Sequence, residues 1–364
     1  MQSTEDTGRE YFDRLIELSS RATSHTEHRD HWLRIGRRLV RLKLANSEFE
    51  TTTLPALRHL EVAADGPRAS EPQASVAHPG GKSRKDKPAL TVHAWDSAGA
   101  GFGPPPWPWL TPEGKPYLFR ADWGRGAWLP ETGAMFVLDS QRKAAVFWIA
   151  DARRLPIVQR GSPLLHIWAW WLGTGAVQFT HAGAVGDAHG AVLLLGAGGS
   201  GKSSTALQSL DSSLFYLGDD YCLIAAAPEP TVFSLYSSGK VNAQDRQSFP
   251  WLEAAFAGMD ADKALFQLHP TFADRLAVQR PLKALLVCRV TGEAGSDLQP
   301  LSSAEVVRAS APSTIIQLHT LVDGAAAMRT IAEIAKHVPA YRLNLGSDRR
   351  RLPELIVDLL ARHT

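Results

Sequence analysis

The chain contains 364 residues, with a formal net charge of +2 and a hydrophobic content of 44%. This length predicts two domains, and the composition is that of a globular protein. The nearly neutral charge does not support a nucleic-acid binder driven by bulk charge, although a local basic patch stays open. We therefore expect no nucleic-acid partner.

The polar start of the chain and its short apolar runs argue against export and against a membrane span. Residues 1–6 have neither the basic start nor the apolar stretch of a secretory signal. The most apolar segment, residues 164–173, is too short for a bilayer, which requires roughly 20 residues. Cys222 and Cys288 lie in apolar runs, which predicts buried cysteines in a reducing compartment. We expect a cytoplasmic protein without membrane contact.

Residues 1–158 predict a helical extension followed by a small β-rich α+β domain. We assign residues 1–30 to the extension, because residues 8–28 combine many charges with weak helical periodicity. Residues 39–44 alternate apolar and basic side chains, which is the period of a half-buried strand. The β-rich domain spans residues 31–158, and its further predicted strands are 32–36, 90–95, 117–120, 134–138 and 144–149.

Residues 65–88 interrupt the β-rich domain. They are rich in Gly, Pro, Ser and charged residues and contain few apolar side chains. Such a composition cannot bury enough apolar surface to offset the entropy of ordering, so we predict a flexible insertion.

Residues 159–364 alternate between helical and strand patterns and predict an α/β domain. The predicted helices are 163–173, 202–210, 302–310, 324–336 and 353–362, and the strands are 177–180, 190–195, 214–217, 222–226, 232–235 and 284–290. The predicted fold class is thus α/β, with a larger C-terminal phosphate-loop domain and a smaller β-rich N-terminal α+β domain.

The clearest chemical motif is a phosphate loop of the pattern G-x-x-x-x-G-K-[ST]. It reads Gly196-Ala197-Gly198-Gly199-Ser200-Gly201-Lys202-Ser203, with Ser204 continuing into a predicted helix. Glycines let backbone N–H groups converge on phosphate oxygens, the lysine reaches the β- and γ-phosphates, and the serine hydroxyl binds Mg²⁺. An apolar strand run precedes the loop, as the motif requires. The sequence therefore predicts that the protein binds ATP and Mg²⁺.

A second feature is the pair Asp219-Asp220, which directly follows a predicted strand. Two carboxylates placed beyond a strand can divide the work of binding Mg²⁺ and accepting a hydroxyl proton. The alternative is a turn or a helix cap, where Asp is common. Because a phosphate loop lies upstream in the same domain, we favour the functional interpretation. His181 follows an apolar run, and by itself such a histidine is usually structural.

The order His181, phosphate loop and Asp219-Asp220 resembles the kinase core of the HPr kinase/phosphorylase family. The segments 93–96, 234–240, 280–286 and 311–314 are similar to HPr-kinase-like proteins of bacterial peptide-tailoring clusters, which include lasso-peptide precursor kinases. Two departures argue against HPr itself as substrate. The arginine-rich segment that supports reverse phosphorolysis is not evident, and the N-terminal domain differs from that of the carrier-protein kinases.

The resemblance implies a role for each matching residue. Lys202 and Ser203 would hold phosphates and Mg²⁺, and Asp219 would be the general base. His181 would neighbour that base or contact the γ-phosphate, and Asp220 would be a metal-associated carboxylate. Lys240 is a further candidate from its Ser-Ser-Gly-Lys context, where it could neutralise a transferring phosphoryl group. The alternative for Lys240 is a solvent-exposed lysine.

Taken together, these features predict an ATP- and Mg²⁺-dependent kinase of a hydroxyl, with Ser or Thr of a peptide or small protein as acceptor. The mechanism would be in-line phosphoryl transfer, and the N-terminal domain would recruit the substrate. Alternatives are a small-molecule hydroxyl kinase, a nucleotide sensor without turnover, and an enzyme like phosphoenolpyruvate carboxykinase. The identity of the acceptor, the phosphoryl donor and a homo-oligomeric state stay open.

Overall fold

The computed structural model describes residues 4–26, 28–63, 87–111, 113–116, 118–173, 175–316 and 324–363. Their contacts form two compact units, which are Met1–Thr51 with Leu60–Arg153 (unit 1) and Thr52–His59 with Arg154–Thr364 (unit 2). The division thus falls a few residues before the predicted boundary at 158. Apart from Lys87 and Pro88, the predicted insertion 65–88 lies outside the described residues.

Unit 1 is built on one mixed sheet. Its helices are α1 (Thr4–His25), α2 (Ser47–Thr52) and α3 (Ser97–Ala100), and its strands are β1 (Arg29–Ile35), β2 (Arg38–Leu44), β3 (Leu90–Asp96), β4 (Phe119–Arg120), β5 (Gly124–Leu129), β6 (Ala134–Asp139) and β7 (Ala144–Ile149). The strand order is β1-β2-β3-β7-β6-β5-β4, with β3 parallel to both β2 and β7. The final residue of α2 belongs to unit 2.

The N-terminal helix is part of the unit 1 core, which differs from the separate extension predicted for residues 1–30. Phe12 and Leu15 of α1 are fully buried, and they belong to the same apolar cluster as Trp123. The rings of Phe12 and Trp123 meet edge to face at 6.3 Å between centroids. The weak periodicity therefore reflects a narrow apolar stripe, which is sufficient to fix α1 on the sheet.

Unit 2 contains more elements, and its described strands form two sheets. Its helices are α4 (Ile157–Gly161), α5 (Leu165–Leu172), α6 (Lys202–Gln208), α7 (Ser303–Ala311), α8 (Gly324–His337) and α9 (Leu352–Arg362). Its strands are β8 (Gln178–Thr180), β9 (Gly183–Gly186), β10 (Ala191–Leu195), β11 (Phe215–Gly218), β12 (Cys222–Ala225), β13 (Thr231–Ser234), β14 (Ser238–Asn242), β15 (Phe256–Met259), β16 (Lys263–Gln267), β17 (Gln279–Val290), β18 (Asp297–Leu301) and β19 (Ala340–Leu345).

Strand β17 organises the main sheet of unit 2. Its first residues pair with β13, and its remainder pairs in parallel with β10 on one side and β19 on the other. Strand β9 is antiparallel to both β10 and β11, so β11 runs in the same direction as β10. The carboxyl ends of β10, β11, β17 and β19 therefore meet at one edge of the sheet. A smaller antiparallel sheet has the order β14-β16-β15.

Two apolar clusters cover the two faces of this sheet. Alternate residues of β10 contribute to opposite clusters, so that Leu194 packs with Leu207 and Leu193 packs with Ile331. All five residues of β10 are buried, as expected for a strand covered on both faces. Cys222 and Cys288 are free and buried, as predicted. The predicted α/β class is confirmed at the level of a mixed α/β fold with several sheets.

No helix in the described parts of the chain has the length and apolar composition needed to cross a bilayer. Helix α5, which contains three tryptophans, is instead a short buried helix of 8 residues. Trp168 donates a hydrogen bond from its indole Nε1 to the Pro163 carbonyl oxygen at 3.0 Å. These tryptophans therefore belong to the interior of unit 2, as the sequence predicted.

The packing of α1 leads to a prediction about stability. Replacing Phe12 with Ala removes a fully buried ring from the unit 1 core, so we expect the free energy of unfolding of that unit to fall by about 3–5 kcal/mol. Urea unfolding followed by tryptophan fluorescence measures this loss. Glu17→Ala, on the exposed side of α1, is the matched control and should change little. An unchanged midpoint for Phe12→Ala would mean that α1 does not stabilise the core.

Candidate active site

The phosphate loop joins the buried strand β10 to helix α6, as the sequence predicts. The backbone of Gly196 has φ +133° and that of Gly201 has φ +98°, values that favour glycine. A Cβ atom at Gly201 would lie 2.4 Å from Leu345 Cδ1, so the loop also packs too closely against β19 for a side chain there. Glycine at these positions thus sets the shape of the loop.

Polar groups of the loop and of α6 converge on a cleft at the carboxyl edge of the sheet. Lys202 is only 5% exposed, and its Nζ donates to the carbonyl oxygens of Gly196 at 2.8 Å and Ala197 at 3.0 Å. Burial lowers the pKa of Lys202. The Ser203 hydroxyl donates to the Asp219 carbonyl oxygen at 3.3 Å. The Ser200 hydroxyl is buried, and within the described chain it has no hydrogen-bond partner.

Asp220 presents its carboxylate to the same cleft from the end of β11. His181 Nε2 lies 2.7 Å from its Oδ1, and Lys240 Nζ lies 2.8 Å from its Oδ2. Lys240 Nζ also donates to the Ser162 hydroxyl at 2.7 Å. The Lys240 side chain is 7% exposed, which excludes the alternative of a solvated lysine. Each carboxylate oxygen of Asp220 thus has a fixed, basic partner.

Asp219 points the opposite way, because successive side chains at the end of a strand face opposite sides. Its Oδ2 accepts from the Lys240 backbone N–H at 2.9 Å, and its Oδ1 lies 3.1 Å from the Tyr216 hydroxyl. The same hydroxyl lies 2.6 Å from the Ser238 carbonyl oxygen, so its single proton can serve only one of these acceptors at a time. Asp219 therefore belongs to the interior and does not line the cleft.

The two adjacent carboxyl groups have opposite pKa shifts. Burial, with the neighbouring charge of Asp220, raises the pKa of Asp219 to about 6. Burial alone would also raise the pKa of Asp220, but Lys240 and His181 outweigh it and hold that pKa below its ordinary value. Asp220 is therefore the more strongly acidic member of the pair, and it lies beside the phosphate loop.

The cleft has a volume of about 400 Å³ and lies within unit 2. It brings together most of the residues that the sequence singled out, namely His181, Gly198, Gly199, Ser200, Gly201, Lys202, Ser203, Ser204, Asp220 and Lys240. Gly196 and Asp219 do not line it, although both contact residues that do. That Asp219 is the base stays a prediction. Because the Asp219 carboxylate is enclosed and the Asp220 carboxylate lines the cleft, the geometry favours Asp220 as the base.

Several lining or supporting residues were not foreseen from the sequence. Arg349 lines the cleft from the segment after β19, and the run Asp348-Arg349-Arg350-Arg351 beyond an alternating strand could have suggested it. Ser162 and Tyr216 support Lys240 and Asp219 through contacts with other elements. No local pattern distinguishes those two residues, because their roles depend on the tertiary fold.

The residues present fit a nucleoside triphosphate with Mg²⁺. The buried Ser200 hydroxyl and the N–H groups of the glycine loop are donors suited to phosphate oxygens. A Cβ at Gly199 would meet no atom within 4 Å, so the loop is open on that side. The Ser203 hydroxyl and the Asp220 carboxylate carry oxygen atoms of the kind that bind Mg²⁺, which in nucleotide sites takes one or two protein oxygens together with phosphates and water.

Comparisons with known proteins find similarity to solved structures. No protein-family model matches the chain, and the comparison with curated proteins gave no match. The solved structure of the Hpr(Ser) kinase/phosphatase from Coxiella burnetii is similar with a TM-score of 0.31 and 13% identity. The match covers 51% of this chain and 90% of that one. A likeness this weak transfers neither residue roles nor activity, which must be argued from the site itself.

The raised pKa of Asp219 leads to a prediction about pH. Between about pH 4 and 6 the folded state binds a proton at Asp219 that the unfolded state has released, so this group lowers stability as pH rises through that window. Asp219→Asn removes the effect. We expect the stability of this variant relative to the parent to increase from pH 4.5 to pH 7, as measured by urea unfolding.

Asp274→Asn provides the control, because Asp274 is exposed. Its stability relative to the parent should not change with pH. If the free energy of unfolding of Asp219→Asn differed from that of the parent by the same amount at both pH values, the pKa of Asp219 would not be raised.

Proposed function

We propose that unit 2 is an ATP- and Mg²⁺-dependent kinase that transfers the γ-phosphoryl group to a hydroxyl. The observation that carries this proposal is the position of Asp220. Its carboxylate lines the same cleft as the phosphate loop and is held by His181 at 2.7 Å and Lys240 at 2.8 Å. A loop that only binds nucleotide would not require an ionised carboxylate fixed in this way, whereas transfer to a hydroxyl does.

The chain's own groups divide the work of transfer. A bound Mg-nucleotide would supply the phosphoryl group and the cation. Lys202 and the N–H groups of the loop would bind and orient the phosphates, and Ser203 would be a ligand of the cation. Lys202 would exchange its bonds to the Gly196 and Ala197 carbonyl oxygens for phosphate oxygens. Lys240, on the cleft wall, would add positive charge where negative charge develops.

Asp220 would orient the attacking hydroxyl and accept its proton as the new O–P bond forms and the bond to the β-phosphate breaks. Phosphoryl transfer depends mainly on positioning and charge, so a weakly basic but well-oriented carboxylate suits this step. We therefore assign Asp220, in place of Asp219, as the proton acceptor and Asp219 as a positioning residue. Asp220 could also contact Mg²⁺, in agreement with the role of a metal-associated carboxylate that the resemblance implies.

For the acceptor we propose Ser or Thr of a peptide or small protein, with unit 1 recruiting it. A small-molecule hydroxyl is the second candidate, because the catalytic cleft alone does not distinguish the two. A nucleotide sensor without turnover is the third, and the fixed Asp220 disfavours it. These candidates separate in one assay, in which labelled MgATP is offered with a Ser/Thr peptide library, a set of sugars and nucleosides, or no acceptor.

The phosphate loop is tested by Lys202→Ala. Loss of the charge directed at the β- and γ-phosphates should reduce phosphoryl transfer by at least about a hundredfold, while the helical content stays at the parental level. Single-turnover transfer and circular dichroism measure the two effects. Lys336→Ala changes an exposed lysine of α8 and is the matched control. Parental transfer rates in Lys202→Ala would exclude the loop as the phosphate site.

The two aspartates are tested by a matched pair of isosteric variants. Asp220→Asn cannot accept a proton, so we expect transfer to fall by about 10²–10⁴-fold, with MgATP affinity changing only a few-fold. Asp219→Asn should retain most activity. Its amide can still accept from Lys240 N–H and can donate to the Tyr216 hydroxyl, whose proton then goes to the Ser238 carbonyl oxygen.

Calorimetric binding of MgATP, measured beside transfer on both variants, separates binding from chemistry. The reverse ranking, with Asp219→Asn inactive and Asp220→Asn active, would restore Asp219 as the base. If both variants lost only Mg²⁺ affinity, the pair would be a metal site. If the parent bound MgATP but transferred phosphate to none of the acceptors, the sensor would replace the kinase.

A further inference from the structure

A second cleft of about 660 Å³ adjoins the phosphate cleft within unit 2. Ser204, Asp245 and Arg349 line both, so the two are continuous. The second cleft follows α6 from Ser204 towards its end at Gln208. Its volume lies within the range of about 300–1,000 Å³ that is typical of small-molecule sites.

Gln208 supplies an unpaired polar group to this second cleft. The residue is only 9% exposed and lines the cleft, yet in the described part of the chain its side-chain amide forms no hydrogen bond. Neither amide atom is among the fully enclosed, unpartnered polar atoms of the described chain, so both are accessible from the cleft and free to bind a ligand. A ligand that offers one donor beside one acceptor would satisfy both ends of the amide.

Trp251 supplies an aromatic wall beside Gln208. Its indole Nε1 donates to the Leu207 carbonyl oxygen at 3.3 Å, which fixes the ring at the end of α6. Phe249 contacts it edge to face, with 5.5 Å between ring centroids. Trp251 is half-buried, so part of its surface is available to the cleft. A flat heteroaromatic group is the natural partner of such a ring.

The expected orientation of a triphosphate in the loop also directs its nucleoside end towards the second cleft. His181, Asp220 and Lys240 line only the first cleft, so the reacting end of a triphosphate belongs there. In a phosphate loop the residues around Lys202 and Ser203 hold the β- and γ-phosphates. The α-phosphate, and the nucleoside attached to it, must then lie beyond Ser204. Arg349 lines this junction and, among the described residues, forms no ion pair, so its charge is available to a phosphate.

We propose that the second cleft binds the adenine base of the nucleotide, stacked against Trp251 and hydrogen-bonded to the Gln208 amide. Adenine presents a donor beside an acceptor at N6 and N7, and likewise at N6 and N1, which is the pattern that a Gln amide pairs with. Guanine presents two acceptors at O6 and N7, so fewer of its edges can pair with the donor and acceptor of the Gln208 amide. The inference rests on the proposed function, because it assumes that the triphosphate occupies the loop.

The test compares three probes by calorimetry, which are MgATP, MgGTP and Mg-tripolyphosphate, on the parent and two variants. Gln208→Leu keeps the approximate size but removes both hydrogen bonds. Trp251→Leu removes the stacking surface. We expect each variant to weaken MgATP binding by about tenfold and to leave Mg-tripolyphosphate binding unchanged. Gln247→Ala, at an exposed position outside both clefts, is the matched control and should leave all three affinities unchanged. The parent should prefer MgATP over MgGTP.

Tripolyphosphate acts as an internal control for folding, because it reports on the loop without the base. If the parent bound MgATP and Mg-tripolyphosphate equally, or if both variants kept parental MgATP affinity, the base site would be wrong while the proposed kinase survived. If Trp251→Leu spared MgATP binding but impaired phosphorylation of peptides, the cleft would be an acceptor site instead. A parent that bound none of the three probes would overturn the proposed function and this inference together.

Discussion

The site depends on the buried carboxylate of Asp219, although that carboxylate does not line the cleft. By accepting the Lys240 backbone N–H at 2.9 Å, it joins the end of β11 to β14. That contact places the Lys240 side chain so that its Nζ reaches the neighbouring Asp220 at 2.8 Å. Asp219 thus fixes the backbone of Lys240, and Asp220 forms the ion pair with the Lys240 ammonium group. The carboxylate proposed as proton acceptor is thus positioned by the one that precedes it.

The same arrangement explains how two adjacent acids can coexist. Two carboxylates this close repel each other, and burial adds to the free energy of ionising either of them. The structure resolves the conflict asymmetrically, because Lys240 and His181 both contact Asp220, whereas Asp219 receives the Lys240 amide and the shared Tyr216 hydroxyl. The interior member is the easier one to protonate, and the cleft member keeps its charge. An ionised group beside the phosphate loop is what magnesium binding and proton acceptance both require.

The sequence predicted the parts of the site that are local and left open the parts that depend on tertiary pairing. The loop, its flanking strand and α6 were predictable, because their pattern lies within one continuous stretch. The identity of the aspartate that faces the cleft was not, since it is decided by partners on β14 and by Tyr216. Strand β9 was missed because Gly183–Gly186 has Val185 as its one β-branched residue, beside two glycines and an alanine. Strand β14 was not predicted, since it begins Ser-Gly-Lys and lacks a clear strand pattern.

Helix α6 connects the chemistry of the two clefts. Its first residues, Lys202 and Ser203, line the phosphate cleft, and its last residue, Gln208, lines the second one. From Lys202 to Gln208 the helix rises by roughly 9 Å, a length comparable to that between the terminal phosphates and the base of an extended nucleotide. The apolar face of α6 is held by Leu207 against the same cluster that contains Leu194 of β10. The strand that begins the loop and the helix that follows it therefore share one core. The distance between the loop and the proposed base-binding residue Gln208 is thus set by packing.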